Sequence, residues 1–147
     1  GFGAGKWNGF GEKVEGVETV VQAAQRELQE EAGITALDLT LCGTLKFSFD
    51  PQLDNRIMDV FVFRATEFEG TVAETEEMLP QWFPQEEIPL DKMWADDKYW
   101  FPVFLRGGCF RGEFQFTDFD TIVESSLREV DPSELPSLEE ETESASV

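Results

Sequence analysis

Histidine is absent from the 147 residues, and that absence excludes two large classes of chemistry. A Ser-His-Asp or Cys-His catalytic arrangement has no base here, and a histidine-ligated zinc site has no ligand. The two cysteines, Cys42 and Cys109, are too few and too far apart in sequence for a disulfide framework or a thiolate metal cluster, so a reducing compartment is expected. No apolar run approaches the roughly 20 residues of a membrane helix. No signal-peptide pattern opens the chain, which starts at Gly1 and not at a methionine. Positive charge is scarce: 11 Lys and Arg stand against 31 Asp and Glu, a formal net charge of −20. Such a surface repels polynucleotides and anionic membranes over most of its area, and neither is an expected partner.

What is present is aromatic and acidic. With 14 Phe and 4 Trp among 41% hydrophobic residues, the chain can close one well-buried core but not two. The glycine-rich opening, in which Phe2, Trp7 and Phe10 alternate with five glycines up to Gly11, suits a backbone folded tightly around a ligand. Its Gly1-x-Gly3-x-Gly5-Lys6 is not a P-loop, because the glycine spacing is wrong and Trp7 stands where Ser or Thr should follow the lysine. Thr19 with Gln22, the helical spacing of Val21, Ala24 and Leu28, and Gly33 as C-terminal cap predict a helix over 19–32. Strands are expected at 37–49 and 57–65, near Trp82, and at 110–116. A short helix opens at Asp96 or Asp97 and is bent by Pro102, and Ile122, Val123, Leu127 and Val130 read as a further amphipathic helix. From Asp131 to Val147 there is no aromatic and no basic residue but six acids and four serines, a composition that predicts a disordered acidic tail over 131–147.

The chemistry is concentrated in Arg26-Glu27-Leu28-Gln29-Glu30-Glu31-Ala32-Gly33-Ile34. Glu27, Glu30 and Glu31 are spaced by three and four residues and share one helical stripe. Three carboxylates so placed repel one another unless a cation joins them, and hard oxygen donors suit Mg²⁺ or Mn²⁺. A solvated helix face is the other meaning of such a run taken alone.

Glu18 lies nine residues before Glu27 and Gly33 ends the helix. Residues 12–34 therefore resemble the box of the Nudix family, matching at Glu18, Arg26, Glu27, Leu28, Glu30, Glu31, Gly33 and Ile34 with unbroken spacing. The pattern's leading glycine is replaced by Glu12. A side chain there restricts positive φ and close backbone approach, which keeps a second reading open: a Nudix-fold nucleotide-binding or interaction protein with little or no turnover. The likeness extends over nearly all of 1–130, through Trp94-Ala95-Asp96-Asp97-Lys98-Tyr99-Trp100 and Leu127-Arg128-Glu129-Val130, to the branch of the family that acts on oxidised purine nucleotides.

The resemblance implies an α+β domain over 1–130, an α/β/α sandwich with a mixed β-sheet between helices, whose first strand falls outside this chain. It implies Mg²⁺-dependent hydrolysis of oxidised purine nucleoside triphosphates to the monophosphate and pyrophosphate by a cytoplasmic monomer, with mitochondrial or nuclear pools, that sanitises the nucleotide pool. Metal ligands carry over onto Gly11, Glu27, Glu30, Glu31 and Glu77. Glu27 or Glu31 takes the proton from water, and Arg26 orients a box carboxylate. The substrate contacts carried over are Phe2, Asn8, Phe10, Gly11, Lys13, Phe47, Phe49, Met58, Trp94, Asp96 and Asp97. Adjacent carboxyls in an apolar pocket raise one another's pKa, so Asp96 and Asp97 can offer a purine edge one donor and one acceptor. The alternative for either aspartate is that it caps the helix that follows.

Overall fold

Thr19 begins the first helix, α1 (Val20–Ala32), with a reciprocal cap. Its Oγ1 accepts from the Gln22 backbone N–H at 3.1 Å, and Gln22 Oε1 accepts from the Thr19 N–H at 2.9 Å, which satisfies two of the donors a helix start leaves over. Gly33 ends the helix at φ 76, a left-handed conformation that favours glycine, and its N–H donates to Gln29 O at 3.0 Å. The computed structural model describes Gly9 and residues 18–50, 52, 57–75, 78–118, 120–136 and 144–146, the last three by backbone only. After α1 come β1 (Thr35–Ala36), β2 (Thr40–Phe49), β3 (Ile57–Arg64), β4 (Phe68–Glu69), α2 (Asp97–Leu105), β5 (Cys109–Phe116), β6 (Ile122–Val130) and β7 (Ser144–Ser146).

The main sheet is mixed, in the order β6-β5-β2-β3-β7. β2 pairs antiparallel with β3 and parallel with β5, with Phe47 opposite both Met58 and Phe114. Alternation along these strands gives the sheet two apolar faces. One buries Phe61 and Phe63 under Val20, Ala23 and Ala24 of α1. The other buries Leu45, Val62, Phe110, Phe114 and Phe116 under Trp100 and Val103 of α2. A helix on each face makes the α/β/α sandwich expected. Gly43 is required on the α2 face, since a Cβ there would lie 2.2 Å from the Phe110 ring.

Two expected elements differ. Residues 122–130 are strand, not helix: β6 pairs antiparallel with β5 from Phe116↔Ile122 to Cys109↔Val130. The spacing of Ile122, Leu127 and Val130 fits both periods, and what decides is the edge of β5, whose backbone groups need partners that local periodicity does not show. The turn that returns the chain is tied by Asp118, whose carboxylate accepts from Asp120 N at 2.8 Å and Thr121 Oγ1 at 3.2 Å. No strand forms at Trp82; the chain there is irregular and continues into short 3₁₀ turns at Gln85–Glu87 and Leu90–Lys92, in keeping with Pro80, Pro84 and Pro89.

Where composition gives a disordered tail, the described residues beyond Val130 are structured. Asp131 caps a 3₁₀ turn at Pro132–Glu134 in a second reciprocal box, and Glu134 O accepts from Arg111 Nη1 at 3.1 Å. β7 then pairs parallel with Val60–Val62 of β3. Backbone pairing at a sheet edge needs no apolar side chain, so composition does not report it.

Candidate active site

Residues 26–31 lie in the last turns of α1, where the helix rotates its acids into different surroundings. Glu27 is 2% exposed and Glu31 7%, one turn apart on the packed side of the helix, while the Glu30 side chain is 45% exposed. Burying two carboxylates is costly unless cations or donors hold them. Arg26 supplies one such contact: Nη1 donates to Glu27 Oε1 at 2.5 Å and to Glu30 Oε2 at 3.1 Å. Its other edge is fixed by Glu18, whose oxygens accept from Nε at 3.1 and 3.2 Å and from Nη2 at 2.8 Å. These bonds hold the guanidinium well above its ordinary pKa, Glu18 contributing most, so its charge is permanent. Glu18 is the residue whose role the sequence left unassigned; its place in the box was visible, but its function as the brace of Arg26 is not a matter of spacing.

The segment after β4 docks on the end of the same helix. Ala73 N donates to Ala32 O at 3.2 Å, and Thr75 Oγ1 to Glu31 O at 3.1 Å. Thr75 N also donates to Met78 O at 3.0 Å, so the residues on either side of 76–77 are tied to one another and, through Thr75, to Glu31. Glu77 lies outside the described residues, as do Phe2, Asn8, Phe10, Gly11, Glu12 and Lys13.

On the α2 face, Phe47, Phe49 and Met58 occupy neighbouring positions at one end of the sheet. Phe47 lies 6.0 Å from both Phe114 and Phe116, ring centre to ring centre, and Phe49 stacks on Phe116 at 5.5 Å. Trp94 is half-buried immediately before α2, and Ala95 packs on the same cluster. Asp96 and Asp97 are each only 5% exposed. Asp96 stands at the N-cap position of α2 without a side-chain capping bond; its Oδ2 instead accepts from Trp100 Nε1 at 2.9 Å. Capping is therefore not what Asp96 does, and Trp100, four residues on, is a partner that helical spacing could have disclosed.

Burial, above all, raises the Asp96 pKa. Burial followed by the charge of Asp96 pushes Asp97 up to about 8. Among the described residues Asp97 Oδ2 has no hydrogen-bond partner although it is buried, an arrangement that calls for a functional explanation. Burial and mutual repulsion thus favour a shared proton on this pair.

A model of the NUDIX domain matches residues 1–104. The chain belongs to the Nudix family. It is 52% identical over 131 residues to an oxidized purine nucleoside triphosphate hydrolase from Danio rerio and 50% identical over 133 residues to one from Mus musculus, each match covering 89% of this chain and 83% of the relative. Among solved structures it resembles a mutator MutT protein from Bacillus halodurans, with a TM-score of 0.66 and 28% identity over 77% of this chain and 76% of that one. The α+β architecture is the Nudix fold, and the chain is a Nudix hydrolase. No helix among the described residues is long and apolar enough to cross a membrane.

Nudix hydrolases work with divalent metal ions. Among the described residues the donors are carboxylate oxygens, two of them on side chains buried one turn apart, which is the chemistry a hard cation selects. The fit is one of donor type and placement. Among the described residues no three acidic side chains stand close enough together to hold an ion, and Arg26 engages Glu27 and Glu30. The expected convergence of all three is thus not seen in this arrangement of the side chains.

Proposed function

We propose that the chain hydrolyses oxidised purine nucleoside triphosphates, of the 8-oxo-dGTP and 2-hydroxy-dATP type, to the monophosphate and pyrophosphate. The observation that carries this reading is the buried Asp96–Asp97 pair beside a phenylalanine-lined face of the sheet, in a chain half identical to hydrolases so named. The aromatic rings offer stacking surface to a purine. The two carboxyls share their proton, and exchanging it between them suits bases whose oxidised edges differ in donor and acceptor order. Trp94, Phe47, Phe49 and Met58 complete the base pocket in this reading, with Phe2, Asn8 and Phe10.

Mg²⁺, or Mn²⁺, is the ion we assign, with Glu27, Glu30, Glu31, Glu77 and the Gly11 carbonyl as its ligands. Bound there, it would neutralise triphosphate charge and acidify the attacking water. Glu31 is the proton acceptor. Glu27 shares that helix face and burial, and with its Oε1 engaged by Arg26 we give it the role of metal ligand. Arg26, braced by Glu18, positions the Glu27 carboxylate, and to Lys13 we assign neutralisation of the phosphates. Water adds to phosphorus as its proton passes to Glu31, the α–β anhydride bond breaks, and pyrophosphate leaves. The protein acts as a monomer in the cytoplasm, with mitochondrial or nuclear pools.

The experiment is product analysis. The nucleotide and phosphate products of 8-oxo-dGTP hydrolysis are separated by chromatography and identified by ³¹P NMR. Monophosphate with pyrophosphate is expected. Diphosphate with orthophosphate would show cleavage at the other anhydride and would overturn the assignment.

A further inference from the structure

The indole of Trp100 has little freedom to turn. It is 8% exposed, stacks on Phe110 at 5.2 Å between ring centres, and stands edge-on to Phe104 at 5.9 Å. Phe110 is itself fully buried, its ring filling the space that a Cβ on Gly43 would take. The indole is therefore fixed from the sheet outward, and with it the direction of its one polar group. Nε1–H donates to Oδ2 of Asp96 at 2.9 Å, one turn back along α2.

An indole nitrogen donates and cannot accept. Asp96 Oδ2 is thereby fixed as an acceptor, and a donor that cannot rotate away favours the charged form of the carboxyl it touches. At Asp97 the balance differs, for its Oδ2 is buried without a hydrogen-bond partner among the described residues. Burial raises the pKa of both carboxyls. The Trp100 bond is the largest influence against that rise at Asp96, whereas at Asp97 the charge of Asp96 adds to the rise and outweighs a backbone bond from Trp94. The two neighbours are thus unequal. We propose that Trp100 is a specificity-determining positioning residue, whose fixed N–H keeps Asp96 as the acceptor and leaves the shared proton on Asp97 as the donor before a nucleotide arrives. The inference rests on the reading of this pair as the base-recognising group and adds an order to it. A purine with a carbonyl at position 6 and one with an amino group there ask for opposite orders of donor and acceptor from the same two carboxyls. The base that matches the resting order binds directly. The other must move the proton to Asp96, which weakens the charge-assisted bond from Trp100.

The test is one of binding, so it does not depend on turnover. Dissociation constants of the whole chain and of Trp100→Phe are measured by isothermal titration calorimetry for 8-oxo-dGMP, which carries the carbonyl at position 6, and for 2-hydroxy-dAMP, which carries the amino group. Phenylalanine keeps an aromatic ring against Phe110 and removes the N–H. The ratio of the two constants is expected to change about tenfold or more, because a hydrogen bond to a charged group is lost for one order and not for the other. Equal weakening of both nucleotides, the mark of a role in packing alone, would overturn the inference, as would an unchanged ratio. A second measurement needs no variant and covers the case in which Trp100→Phe does not fold. In the ¹⁵N-labelled parent the Trp100 indole ¹H–¹⁵N resonance, identified by its contacts to the Phe110 ring, is expected downfield in the free chain and is expected to move upfield with only one of the two nucleotides. A resonance that both nucleotides move alike, or that neither moves, would overturn the inference. A parent that shows the expected split in binding but releases no pyrophosphate would sink the proposed hydrolysis and leave this inference standing.

Discussion

Pyrophosphate release falls ~10³-fold or more in the Glu31→Gln variant, a loss in kcat, with circular dichroism unchanged. Glutamine keeps the shape and the neutral hydrogen-bonding capacity of the side chain but can neither accept the proton of water nor lend charge to a cation. Glu31 is 7% exposed, and glutamine fills the same buried space, so the packing around it is kept. A stable, folded, inactive protein is therefore the expected outcome. The matching change at Glu27 is expected to behave differently, since it also takes away an ion pair at 2.5 Å to Arg26, whose guanidinium engages Glu18 and Glu30 as well. Stopped-flow or steady-state assay of both variants, beside urea denaturation, separates the two roles. Turnover within tenfold of the parent in Glu31→Gln would remove Glu31 from the chemistry.

The second large effect is at Asp97. Its folded-state pKa of about 8 stands far above the ordinary carboxylate range, so the folded chain holds that proton more tightly than the unfolded chain does. The stabilisation this gives is fully present below the unfolded pKa of about 4 and is lost as pH rises through about 8. Asp97→Asn cannot ionise. Its stability relative to the parent should be nearly level at pH 4 and should rise with pH, reaching a lead on the order of 5 kcal/mol by pH 9, measured by urea denaturation across the range. Activity moves the other way. The amide cannot exchange a proton with Asp96, so kcat/KM for 8-oxo-dGTP should fall ~10²-fold through KM, because a site built to bond a base edge discriminates strongly once its polar groups are mispaired. The variant should also lose the alkaline limb of the pH profile. A variant whose stability and activity track the parent at every pH would show that Asp97 is ionised throughout.

The sequence made some elements legible and hid others for physical reasons. Thr19, Gln22 and Gly33 act within one helix, where cap chemistry is local, and α1 lies within a residue of its expected bounds. The runs that became β2, β3 and β5 carry enough Phe, Val and Ile to show their character. β6 did not, because its apolar residues are few and its partner, the edge of β5, is a tertiary fact. β7 is held by backbone pairing with β3 and leaves no trace in composition. In the site, the box spacing put Glu27, Glu30 and Glu31 on one helix but did not show that Glu27 and Glu31 are buried while Glu30 faces solvent. Nor did it show that Asp96 bonds Trp100 instead of capping α2. Those distinctions depend on which side of a helix meets the sheet.

Metal-dependent selectivity is the direct test of the account. The purified chain is assayed for pyrophosphate release with 8-oxo-dGTP and with dGTP, each in Mg²⁺ and in excess EDTA. Turnover that EDTA abolishes and that favours the oxidised nucleotide in kcat/KM is expected. A folded chain that releases no pyrophosphate from either nucleotide in Mg²⁺, or one whose release is indifferent to EDTA, would contradict it.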